Sequence, residues 1–95
     1  MDIKELSPEI VKQLFRAILS LENKQECMEF LDDLCTMNEM KSFSQRLEVA
    51  RMVRGGDTYM DIQIETGASS TSIKRIKRLI ESEGSGYELV LNRIE

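Results

Sequence analysis

Histidine does not occur in this 95-residue chain, and cysteine occurs only twice. The first absence removes the side chain best suited to acid–base work near neutral pH, and a common metal ligand with it. Cys27 and Cys35 alone are too few to hold a metal without imidazole help. If both lie on one helix, they stand about 12 Å apart along its axis, beyond the roughly 7 Å that a disulfide spans. No basic cluster adjoins either thiol to lower its pKa, so both are read as packing residues in a reducing compartment. No glycine-rich phosphate loop occurs. Asp32 and Asp33 are neighbours on a helix and diverge, so they form no carboxylate dyad. The expectation is a protein that is not an enzyme and carries no cofactor and no metal.

Long apolar runs are missing too. None approaches the roughly 18 residues needed to cross a membrane, and Met1-Asp2-Ile3-Lys4-Glu5 has neither the basic nor the apolar part of a secretion signal. A cytoplasmic protein with no membrane partner is expected. Proline occurs once, glycine five times, and aromatics make up 5%. That scarcity of strand-favouring residues suits helices. A chain this short buries only about 60–65% of its unfolded surface, so a second copy is a ready way to bury more.

What is present is charge, unevenly spread. The formal net charge is −4, yet residues 41–80 carry eight bases against four acids, while the segments on either side are acidic. Screening acts over about 8 Å at physiological salt, so a local basic face matters more to an anionic partner than the total.

Helical punctuation runs through the chain. Ser7-Pro8-Glu9 reads as a helix start, followed by Ile10, Val11, Leu14, Phe15, Ile18 and Leu21 at helical spacing. Asn23, with Glu26 three residues on, opens a second helix with Cys27, Phe30, Leu31, Leu34 and Cys35 on its stripe. Asn38-Glu39 opens a third, with Met40, Phe43, Leu47, Ala50 and Val53 on one face, closed by Gly55-Gly56. Thr58 and Asp61 start a helix of about two turns that Gly67 stops. Ser69 or Ser70 caps a longer helix running to about Glu83. After Gly84-Ser85-Gly86, Tyr87, Leu89, Val90, Leu91 and Ile94 make a short final helix. The spacing thus predicts an all-α chain of six short helices in one domain, 1–95: helices for dimerisation in 1–37, a helix-turn-helix in 58–83 and a C-terminal helix in 84–95. The six methionines are read as core filler.

The segment from Tyr59 to Ile76 carries the functional signal. A short helix, a glycine turn and a second helix that begins in small hydroxyl residues is the layout of a helix-turn-helix. Ile62 and Ile73 are placed to meet where the helices cross. On the second helix, Ile73, Ile76, Leu79 and Ile80 gather on one side, with Thr71, Lys74 and Arg78 opposite and Arg75 and Lys77 on the shoulders. Ser69, Ser70 and Thr71 are slim enough for close approach to DNA, and their hydroxyls can bond phosphates or base edges. Lys74, Arg75, Lys77 and Arg78 put four cations near a helix start that already favours anions. Thr71 and Lys74 are the candidates for base contact, Ser70 for base or phosphate, Lys77 and Arg78 for phosphates. Arg75 either braces the third helix or holds a small anion. Arg46, Arg51 and Arg54 on the third helix are expected to widen the basic surface.

With those residues in view, the chain resembles a known family. Cys35 to Ala50, Arg54-Gly55-Gly56-Asp57-Thr58-Tyr59 and Thr66 to Arg75 look like the small Trp repressor-like regulators of Gram-positive bacteria, and through them the Trp repressor. The likeness covers roughly residues 35–83. It implies an intertwined all-helical homodimer, a repressor role in transcription and two recognition helices entering successive major grooves of double-stranded DNA. It also bears on an effector. Two arginines flank the indole in the tryptophan-binding member; Arg75 matches one, and Arg46 the other after a one-residue slip, which makes this pair the candidate effector pocket. That member has glycine directly after the second arginine, where this chain has Ile76, so a tryptophan corepressor is not expected. The rival reading is a helical protein–protein interaction module that makes no DNA contact.

Overall fold

Capping chemistry sets most of the helix boundaries. The computed structural model describes residues 3–95. After a single 3-10 turn at Ile3–Glu5 come six helices: α1 Pro8–Leu19, α2 Lys24–Leu34, α3 Met37–Arg54, α4 Tyr59–Thr66, α5 Ser70–Glu81 and α6 Gly86–Ile94. The described residues contain no strand, so the all-α reading holds. The chain divides into two compact units, one ending at Thr36 and the other Met37–Glu95.

In the first unit, Asn23 Oδ1 accepts from the Glu26 backbone N–H at 2.9 Å. Glu26 Oε1 in turn accepts from Glu22 N–H at 2.9 Å, one residue short of the reciprocal box the spacing suggested. Ser7 stands at the N-cap of α1 without a side-chain bond, so Pro8 at the first position does the starting. Neither α1 nor α2 buries a single residue in the isolated chain. Ile10 is 72% exposed, and Leu14, Phe15, Ile18, Met28 and Leu34 are exposed as well. Cys27 lies within α2 and Cys35 at its extended C-cap, both as free thiols.

The second unit holds the core. Val49, Ala50 and Met52 of α3, Ile62 of α4, Ala68 of the following turn, Ile73 and Ile76 of α5 and Leu91 of α6 are buried together, with Val53, Ile80 and Tyr87 packed at the edge. The long helix α3 is the platform on which α4, α5 and α6 all pack. Full burial of an isoleucine or leucine side chain stabilises by about 1.5–3 kcal/mol, so this small set carries much of the unit's stability.

Some boundaries differ from the spacing. Helix α3 begins at Met37, one residue before Asn38. Helix α5 stops at Glu81 rather than Glu83, because the backbone turns extended at Ser82 (φ −84°, ψ 150°), whose hydroxyl donates to Leu79 O at 2.7 Å.

Candidate nucleic-acid interface

The turn between α4 and α5 is built from Thr66-Gly67-Ala68-Ser69. Gly67 has φ +73° and donates its N–H to Gln63 O at 2.9 Å, closing α4 in the left-handed conformation that glycine adopts without a Cβ penalty. Thr66 Oγ1 donates to Ile62 O at 2.7 Å and accepts from Ala68 N–H at 3.1 Å, so one hydroxyl bridges the end of α4 and the turn. From α3, Gln45 Nε2 donates to Thr66 O at 2.9 Å and ties the turn to the platform. On the other side, Ser69 rather than Ser70 is the cap: its Oγ accepts from Ser72 N–H at 3.1 Å and lies 3.1 Å from the Ser72 hydroxyl. The Ser69 hydroxyl is thus engaged within the helix start.

The turn therefore holds α5 at a fixed angle with one face inward. Ile73 is 0% and Ile76 1% exposed, and Ile80 is half-buried. Leu79, expected on that side, is 37% exposed and forms its rim. Opposite, Ser70, Thr71, Lys74, Arg75 and Arg78 are exposed, and Lys77 is half-buried. None of the four cations of α5 makes an ion pair among the described residues. Arg75 makes no hydrogen bond to α3 and so does not brace it by a polar contact.

The arginines of α3 behave differently, and two of them do not widen the basic face. Glu48 accepts from Arg51 Nε at 2.7 Å and lies 2.6 Å from Nη2. That hydrogen bond, and then the carboxylate's charge, raise the Arg51 pKa above its ordinary value. Arg54 turns to α6, where Nη2 donates to Asn92 Oδ1 and the guanidinium faces Glu88 at 3.9 Å and Glu95 at 3.5 Å. The Glu95 approach is an ion pair without hydrogen-bond geometry. Arg54 is a clasp between α3 and α6. Arg46 lies over the Phe43 ring one turn back on its own helix, at 5.6 Å from the centroid. No hydrogen bond, ion pair or ring contact joins Arg46 to Arg75.

One residue of this face escaped the sequence reading. Tyr59, the first residue of α4, sits under Lys77, whose Nζ is 5.1 Å from the ring centroid. The two residues help line an open cleft of about 520 Å³ together with Thr71, Lys74, Arg78 and Glu81. The only sequence signal was an aromatic residue directly after the Thr58 cap; its partner lies 18 positions away. No group of three or more candidate metal ligands occurs among the described residues, and none of their helices is long and apolar enough to cross a membrane.

The chain is similar to known proteins in sequence and fold. The family profile described as Trp repressor protein matches residues 9–95. The uncharacterized protein YerC of Bacillus subtilis is 50% identical over 95 residues, covering 100% of this chain and 91% of that protein. A crystal structure from Staphylococcus aureus, of a protein put forward as a Trp repressor, superposes with a TM-score of 0.90 at 47% identity, over 99% of this chain and 94% of that one. A Trp repressor-like protein from Eubacterium eligens gives 0.88 at 45% identity, over 96% and 94%. The match runs through both N-terminal helices, the helix-turn-helix and α6 alike: this chain belongs to the Trp repressor family.

Proposed function

We propose that the chain is a sequence-specific double-stranded DNA-binding regulator of transcription, a cytoplasmic repressor acting as a homodimer, and not an enzyme. The observation that carries this reading is the clustering of four unpaired cations within residues 74–78 of α5. Arg51 and Arg54 of α3 are neutralised by carboxylates, whereas Lys74, Arg75, Lys77 and Arg78 of α5 are left without an acidic partner. Unpaired cations beside small hydroxyl residues, on a helix anchored by Ile73 and Ile76, suit a helix that enters a major groove. Lys74 and Thr71 would read base edges, Ser70 a base or phosphate, and Arg78 and Lys77 phosphates. Ser69 would contribute chiefly by fixing the helix start.

Dimer formation is supported by α1 and α2, which fully bury no residue in a single chain while presenting Ile10, Leu14, Phe15 and Ile18. A second copy of the same chain is the natural cover for these apolar faces, and it would carry a second α5.

The residues do not fit tryptophan as an effector. Ile76, which stands where the tryptophan-binding member has glycine, is 1% exposed and belongs to the core. A branched side chain at that place would partly fill the space a corepressor needs beside Arg75. Regulation by this protein is then independent of tryptophan.

Selection of bound sequences from a random duplex pool tests the reading. The expected product is a palindrome whose half-sites lie about one helical turn, or ~34 Å, apart. A pool with no enrichment would favour the helical interaction module instead.

A further inference from the structure

Resting on the DNA-binding reading above, we propose that Tyr59 is a positioning residue for the backbone contact, holding the Lys77 ammonium in a seat for a phosphodiester of duplex DNA. The interface then reaches beyond α5 onto the first residue of α4.

Several observations meet here. Lys77 lies 5.1 Å from the Tyr59 ring centroid, within the roughly 6 Å over which an aromatic face attracts a cation. A lysine head group is otherwise a mobile charge on a flexible stem, and Lys77 has no carboxylate within ion-pair distance to hold it. The ring orders the ammonium without neutralising it, as an acid would. The cleft of about 520 Å³ that opens beside the pair adds Lys74, Arg78 and the Thr71 hydroxyl. These are the cation and hydroxyl donors that phosphate oxygens accept from. Glu81, one turn beyond Lys77 and Arg78, also lines the cleft and repels an anion at that end. The occupant is duplex DNA rather than a free anion because the same face carries the base-reading candidates Lys74 and Thr71.

The test is a double-mutant cycle on duplex affinity as a function of salt, with parent, Tyr59→Ala, Tyr59→Phe, Lys77→Ala and the Tyr59→Ala/Lys77→Ala pair. Tyr59 is 40% exposed, and each variant's melting curve verifies that it folds. Lys77→Ala should flatten the salt slope by about one unit per subunit. Tyr59→Ala should weaken all duplexes by about two- to fivefold per subunit, whereas Tyr59→Phe, which keeps the ring, should match the parent. In the Lys77→Ala background, the Tyr59→Ala loss should vanish, because the ring acts only through that lysine. An equal loss in both backgrounds, or none in either, would overturn the proposal while leaving DNA binding intact. Parent protein that fails to bind duplex at all would take both readings down. Inorganic pyrophosphate that binds in a Lys77-dependent way without displacing labelled duplex would make the cleft a small-anion site and overturn the duplex assignment.

Discussion

Replacing Ile76 by Ala probes the packing of α5 and, through it, the proposed independence from tryptophan. The side chain is 1% exposed among Val49, Ala50, Met52, Ile62, Ile73 and Leu91. The change removes roughly three carbon groups at ~0.8 kcal/mol each and leaves a cavity, for a loss of about 2–5 kcal/mol. Alanine's better helix propensity returns at most ~0.7 kcal/mol. With a net loss of ~3 kcal/mol, the melting temperature should fall by roughly 12–24 °C at fixed protein concentration. Circular dichroism melts of parent and variant measure this directly. Lys74→Ala, two positions away on the exposed face, is the control and should stay within about 0.5 kcal/mol of the parent. The same melts address tryptophan, since a ligand at about 100 times its Kd adds ~2.7 kcal/mol to the stability of the form it binds. Millimolar tryptophan should leave the parent's melting curve unchanged. An Ile76→Ala variant as stable as the parent, or a parent that tryptophan stabilises by several degrees, would refute the packing argument.

Gly67→Ala should cost about 1–3 kcal/mol by denaturant titration, because φ is +73° while the added Cβ would meet only Gln45 Nε2, at 3.9 Å. Gly55→Ala, whose Cβ finds ordinary contacts from 3.5 Å outward and no positive φ, should be nearly neutral in the same assay. Ser69→Ala removes the acceptor for Ser72 N–H and should cost about 1 kcal/mol of stability. Sedimentation at low micromolar concentration should give about 22 kDa, twice the 11.0 kDa chain; a folded species of chain mass would contradict the dimer.

The local parts of the structure were legible in the sequence because they are written in local chemistry. Asn23, Thr58 and Ser69 each accept the backbone N–H three residues on; spacing to Glu26 and Asp61 suggested the first two, while the third lay open between Ser69 and Ser70. The inward face of α5 followed from the periodicity of Ile73, Ile76 and Ile80. What the sequence hid depends on distant partners. Arg54 looked like part of a basic surface until α6 brought Asn92, Glu88 and Glu95 to it. The Glu48–Arg51 pair, only one turn apart, is local and readable from spacing. Tyr59 gained its meaning only when α4 packed against α5 and set Lys77 over its ring. The early stop of α5 came from the extended backbone of Ser82, whose hydroxyl bonds Leu79 O, a choice made without any sequence flag.

The central claim is that the exposed cations of α5 bind duplex DNA, and the salt dependence of duplex affinity tests it most directly. For the parent, the logarithm of the binding constant should fall linearly with the logarithm of salt concentration. Arg78→Ala should weaken every duplex alike and flatten the slope by about one unit per subunit, while Lys74→Ala should cost about 1–3 kcal/mol at the preferred duplex and relax the choice of base there. Affinity indifferent to salt, or two folded variants that bind as tightly as the parent, would contradict it.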